Sequence, residues 1–184
     1  MKKFWISILS ALLLVVTMGA VGCNSSDEKF KAFTDGFNAA VDATSIDQSI
    51  EVKNGNLLVY SLEKFYTQGE SGFTVTGEEK TLNEVGEAEP YTVTPINKTV
   101  QKADTFTTSL KLYEKAFEKY EIKDDKLTAS VKDAYVDEVF GLSGSHADIS
   151  DVKLEITLYE SGTDFNVIFK SGSYDVSITL TFSY

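Results

Sequence analysis

Ser145, His146 and Asp148 are the residues whose types suggest nucleophilic catalysis. A serine hydroxyl, an imidazole and a carboxylate act as a catalytic triad when they meet in space beside an oxyanion site. His146 is the only histidine of the chain, and its neighbours Ser143 to Ser145 have the composition of a loop. The chain has no Gly-x-Ser-x-Gly elbow with suitable flanks. We therefore interpret His146 as a solvated loop histidine.

Acidic residues suggest two other chemistries, metal binding and hydrolysis by a carboxylate pair. Zinc sites use three or four close ligands, commonly with several His or Cys, which His146, Asp148 and Asp151 do not supply. The acids at 124–125 and 133–138 do not match the spacing of a calcium loop. With 28 acidic residues, carboxylate pairs arise by chance. The sequence thus predicts no metal site, no cofactor and no enzyme, with a hydrolase as the weakest alternative.

Cys23 is the only cysteine, and it directly follows an export signal. Lys2 and Lys3 give a basic start, an apolar run covers 4–18, and small or β-branched residues fill 19–22. The stretch Ala20-Val21-Gly22-Cys23 resembles the lipobox of bacterial lipoproteins, with Ala20 where leucine is usual. The resemblance implies a diacylglyceryl group on the Cys23 thiol and cleavage between Gly22 and Cys23.

The same segment permits a second interpretation, an uncleaved membrane anchor. Residues 4–22 would form a helix of about 28 Å, barely enough for a hydrocarbon core of ~30 Å. Both interpretations place the following domain outside the cytoplasm. We predict a signal peptide at 1–22, a lipidated cysteine with a short tether at 23–28, and one domain at 29–184. The expected location is the outer face of the cell membrane, or an outer membrane in a host with two membranes.

Charge excludes other classes of partner. The net charge is −11, and all 17 basic residues are lysines. Removal of the leader, which holds two lysines and no acid, makes it −13. Arginine supplies the bidentate grip on phosphate, so we expect no binding to nucleic acid or phosphorylated substrates. The single tryptophan, Trp5, lies in the leader, which leaves the mature chain none to stack on a sugar.

Two segments have the apolar periodicity of helices. In 28–42, Asp27 is a candidate cap and Gly36 marks close packing. In 104–120, apolar residues recur at steps of three and four. The two stripes would form the core or, if the domain opens, line an apolar cavity together with Val176, Ile178 and Leu180. The candidate cavity residues on the stripes are Phe30, Phe33, Phe37, Phe106, Leu110 and Phe117.

The other segments predict strands. Asn54-Gly55 is a typical two-residue turn within a hairpin over 45–66, and it would place Val52 opposite Leu57. Pro95 predicts an edge strand or an extended connection at 91–100. Alternating apolar residues predict a three-stranded meander from 152 to the C-terminus. Strands at 72–82 and 126–132 and a short helix at 133–140, ending at Gly141, complete the pattern.

These elements predict an α+β fold, a curved antiparallel sheet of about seven strands with two main helices on its concave face. In this pattern the mature chain distantly resembles the half-barrel lipoprotein carriers of the LolA and LppX type, and no functional residue carries over. We predict a membrane-anchored, non-catalytic binding or accessory lipoprotein, with carriage of lipid or another apolar ligand as the alternative. The expected partners are the membrane, through the anchor, and a protein, wall component or apolar small molecule.

Overall fold

The computed structural model describes residues 27–70, 72–83, 90–101, 110–142 and 148–184, with only the backbone of Ala40 and Val41. The predicted signal peptide and Cys23 lie outside these residues. In the ranges given, no helix has the length and apolar character needed to cross a membrane.

One antiparallel sheet of nine strands dominates the described residues, in the order β4-β3-β2-β1-β9-β8-β7-β6-β5. The fold is α+β, as predicted, and the sheet is curved and open. Since the sheet has nine strands, the predicted number of about seven was too low. The strands are β1 (Ser45–Asn54), β2 (Leu57–Gly69), β3 (Gly72–Leu82), β4 (Tyr91–Val100), β5 (Phe117–Lys123), β6 (Lys126–Val131), β7 (Ile149–Tyr159), β8 (Gly162–Ser171) and β9 (Tyr174–Ser183).

The inner face of the sheet is defined by the alternating apolar residues that the structure buries. On β9 these are Val176, Ile178, Leu180 and Phe182, which pair with inner residues of β1 and β8. The other face carries the polar residues of the same strands, so the predicted C-terminal meander, with one wet and one buried face, is confirmed. The prediction that 91–100 is an edge strand is also confirmed, because β4 pairs only with β3.

The first hairpin has a different register from the predicted one. Its two loop residues are Gly55 and Asn56, with a positive φ at Gly55 alone, which is the type II′ arrangement. A bulge between Val52 and Lys53 adds a further shift, so Val52 pairs with Tyr60 rather than Leu57. An odd shift exchanges the two faces of a strand. Even-numbered residues of β2 therefore face inward.

The predicted helix over 104–120 is wrong where the structure describes it. Residues 102–109, including Phe106, lie outside the described residues. Leu110 and Leu112 are buried in an extended segment, a single 3-10 turn covers Glu114–Ala116, and Phe117 begins β5. Steps of three and four match the helix template. In the structure, however, the 3-10 turn separates Leu112 from Phe117, and β5 pairs with β6 through a turn at Asp124 and Asp125.

Helix α1 (Lys31–Asn38) lies on one end of the inner face, between 3-10 turns over Glu28–Phe30 and Ala39–Asp42. The predicted close packing at Gly36 is confirmed, because a Cβ there would lie 2.5 Å from Leu158 Cδ2. Asp27 stands at the predicted N-terminal position, but its side chain does not cap the helix. Its carboxylate instead accepts a hydrogen bond from Glu114 N at 2.8 Å.

Helix α2 (Val136–Val139) follows a 3-10 turn at Asp133–Tyr135 and ends before Gly141, whose φ is +61°. This confirms the predicted short helix. Val136 and Val139 are buried, and the carbonyl of Val139 accepts a hydrogen bond from Lys111 N at 2.9 Å. The extended segment before β5 is therefore tied to α2.

Candidate ligand site on the inner face of the sheet

The structure places five of the six predicted cavity residues in the buried core, and Phe106 lies outside the described residues. Phe30 packs edge-on against Phe117, with ring centroids 5.3 Å apart. Phe37 lies 4.6 Å from the Phe165 ring and 5.8 Å from the Phe182 ring. These contacts are those of packed core side chains. That the six residues line a ligand cavity stays a prediction.

Other predicted positions are not described. Gly22 and Cys23 lie before residue 27, and His146 lies in the undescribed segment 143–147. Asp148 is described, and its carboxylate accepts a hydrogen bond from the Ser171 hydroxyl at 3.1 Å. Over the ranges that the structure describes, no group of three or more His, Cys, Asp or Glu residues could hold a metal ion.

A cavity of about 40 Å³, open to water-sized molecules, lies between the inner face and the α2 segment. That volume has room for roughly three water molecules, at ~10–15 Å³ each. Its walls are apolar and aromatic side chains, with one carboxamide. The lining residues are Gln48, Val136, Phe140, Leu142, Ile149, Val152, Phe165, Val167, Phe169, Ile178 and Leu180.

Gln48 is the polar member of this lining, and it is 5% exposed. It occupies an inner position of β1, between the buried residues Ile46 and Ile50. Its Oε1 accepts a hydrogen bond from the Tyr66 hydroxyl at 3.2 Å. Burial raises the pKa of Tyr66 to about 12, so this hydroxyl keeps its proton at neutral pH. Apolar walls with one positioned polar group are typical of sites for small apolar ligands.

Next to Gln48, the inner face becomes charged. Lys64 of β2 is the direct cross-strand partner of Gln48, and Gly77 of β3 is the partner of Lys64 on the other side. Burial lowers the pKa of Lys64, the positive charge of Lys98 lowers it further, and Glu79 acts in the opposite direction. The cross-strand neighbour of the cavity residue Gln48 is thus a half-buried lysine.

Sequence reasoning missed both Gln48 and Lys64, although each leaves a signal. Gln48 interrupts the alternation of Ile46, Ile50 and Val52. Lys64 interrupts the corresponding series in β2. The predicted hairpin register placed the two residues on opposite faces, so their proximity was not visible.

Comparison with known proteins gives one similar structure. No family model and no curated protein match the sequence. The crystal structure of LprF from Mycobacterium bovis is similar to this chain, with 14% sequence identity over 85% of this chain and 93% of that chain, and a TM-score of 0.38. Because this TM-score is low, the likeness supports no argument about fold or function.

Proposed function

We propose that this protein is an exported, lipid-anchored lipoprotein that binds a small apolar ligand without catalysis. The observation that carries the binding role is the apolar cavity between the inner face and the α2 segment. Export and anchoring are supported by the basic start, the apolar run and the lipobox-like stretch that ends at Cys23.

The size of the cavity sets the size of the ligand. Room for roughly three water molecules accepts about three methylene groups, which contribute ~0.8 kcal/mol each, or ~2.4 kcal/mol together. A dissociation constant of 1 mM corresponds to about 4 kcal/mol. We therefore expect the terminal segment of an alkyl chain to bind with a dissociation constant of tens of millimolar, an affinity that NMR titration measures.

The test is a titration of 1-octanol into residues 24–184, which contain all nine strands and both helices. Amide shifts should concentrate at Val167 and Ile178 in the cavity wall. Leu142 is a half-buried residue that lines the cavity, and Leu142→Trp would fill the cavity with the larger side chain. This variant should bind octanol about tenfold more weakly or worse, since the indole displaces the alkyl segment. Leu58→Trp, an equally large change at a half-buried residue away from the cavity, should leave binding unchanged.

Two outcomes would overturn the binding role. One is the absence of octanol-induced shifts in the cavity wall of a folded protein. The other is equal octanol binding by the Leu142→Trp and Leu58→Trp proteins, which would place the alcohol elsewhere.

A further inference from the structure

A polar row crosses the inner face beside the apolar cavity. Leu180, Gln48 and Lys64 are successive cross-strand partners on β9, β1 and β2. Neighbouring strands are about 4.8 Å apart. Leu180 and Gln48 line the cavity, and Lys64 is the next position outward. The flexible four-carbon stem of lysine gives this ammonium group enough reach to contact a ligand that extends out of the apolar site past Gln48.

Lys64 faces an open position on β3. Its partner there is Gly77, which has no side chain. A Cβ at Gly77 would lie 1.9 Å from the Glu63 carbonyl oxygen, so the backbone excludes any larger residue at this position. The space opposite Lys64 is thus maintained by the local strand geometry.

The charges around Lys64 leave it incompletely compensated. None of the ion pairs between residues that the structure describes includes Lys64. The nearby carboxylate, Glu79, accepts a hydrogen bond from the Tyr60 hydroxyl, which is 8% exposed. Lys98 adds a second positive charge from the inner face of β4. A half-buried ammonium beside a second, exposed positive charge favours an anion between the two.

We propose that the ligand of the inner-face cavity is an amphiphile with a carboxylate head group, its alkyl end in the cavity and its carboxylate against the Lys64 ammonium beside Gln48. This inference rests on the proposed function and names the ligand class. A charge-assisted hydrogen bond from an ammonium to a carboxylate is about twice as strong as a neutral one. The site therefore distinguishes a fatty acid anion from an alcohol of the same length.

The experiment compares octanoate, 1-octanol and acetate at pH 8 by NMR titration of residues 24–184. The wild-type protein should bind octanoate more tightly than octanol. Lys64→Met should weaken octanoate binding about tenfold or more, because it removes a charge-assisted hydrogen bond, and leave octanol binding unchanged. Lys53→Met, which removes the same charge from the outer face of β1, is the matched control and should change neither.

A second measurement does not depend on any variant. In the wild-type protein, octanoate should shift the Lys64 Cε resonance, and octanol should not. Equal affinity of wild-type protein for octanoate and octanol, an unshifted Lys64 resonance, or acetate binding as tight as octanoate binding would each overturn the inference while leaving an apolar site in place. Failure of both eight-carbon probes to bind would overturn the proposed function as well.

Discussion

At the scale of single residues, Gly55 in the β1–β2 turn and Gly77 in β3 both have a positive φ but differ in their surroundings. Gly77 has a φ of +152°, and its Cα lies where a side chain would meet the backbone of Glu63. Gly55 also has a positive φ, of +60°, but nothing lies within 4 Å of a Cβ added there. Substitution of Gly77 therefore adds a collision with the backbone to the cost of a positive φ. Substitution of Gly55 measures only the cost of a side chain at a positive φ.

Gly77→Ala should destabilise the fold by more than about 3 kcal/mol, because the strained φ and the backbone collision add together. Gly55→Ala should cost about 1–2 kcal/mol, since it adds a side chain to a left-handed residue in open space. Urea unfolding of both variants measures the difference. Equal losses in the two proteins would show that strand β3 shifts to accommodate the new Cβ.

At the scale of elements, the start of the domain is tied to the strand at the edge of the sheet. Lys29 Nζ lies 2.5 Å from Glu114 Oε2 and 2.7 Å from the Tyr120 hydroxyl, which donates to Glu114 Oε1 at 3.0 Å. Phe30 stacks edge-on against Tyr120, with centroids 5.2 Å apart. The N-terminal turn therefore covers β5, and a chain anchored just before it is held at this end of the sheet.

The hydrogen bonds from Lys29 and Tyr120 lower the pKa of Glu114 below its usual 4.5. A group with a lowered pKa in the folded state stabilises the protein above its unfolded pKa, and this contribution disappears as pH falls through the folded value. Wild-type protein should therefore have a higher Tm than Glu114→Gln at pH 7, and the difference should close as pH falls below 4.5.

The matched control is Glu118→Gln, which removes an exposed carboxylate from strand β5, four residues further along the chain. Its Tm difference from wild type should be smaller at pH 7, because Glu118 is in none of the ion pairs between described residues. If the Tm difference between wild type and Glu114→Gln is the same at pH 3 as at pH 7, the substitution destabilises the protein through lost packing, and the charge of Glu114 does not contribute.

At the scale of the whole molecule, charge and anchor act together. The chain has a net charge of −11, and its single cysteine stands at the end of the proposed export signal. A domain of this charge is repelled by an anionic membrane surface. Two or more acyl chains hold a protein stably at a membrane, whereas one does so only marginally. The proposed lipid on Cys23 would thus keep an acidic domain near a surface that it does not otherwise bind.

Full-length protein expressed in a bacterium should be recovered from membranes with a lipidated Cys23 as its first residue. Cys23→Ser removes the thiol that accepts the lipid, so that protein should keep residues 1–22 and carry no lipid. Intact mass spectrometry of both proteins measures this. Wild-type protein with an intact Met1 and no lipid would instead identify residues 4–22 as an uncleaved anchor.

The fold class was predictable because alternation of apolar residues depends only on neighbours along the chain. The strands of the C-terminal meander, the edge position of Pro95 and the close packing at Gly36 were all predicted correctly. The second helix was not, because Leu110 and Phe117 are seven residues apart, which is two turns of a helix. The structure buries both residues by placing a 3-10 turn between them and by pairing β5 with β6, and neither feature follows from apolar spacing.

The sequence by itself determined that the chain is acidic, that all its basic residues are lysines, and that its single cysteine follows a basic start and an apolar run. Its alternating apolar residues also predicted a body that is mostly antiparallel sheet. The tertiary structure alone decided that Gln48 and Lys64 meet at the border of an apolar cavity. The physical reason is register: a type II′ turn at Gly55 and a bulge after Val52 shift β2 by an odd number of residues. Such a shift exchanges the faces of a strand and leaves its apolar periodicity intact.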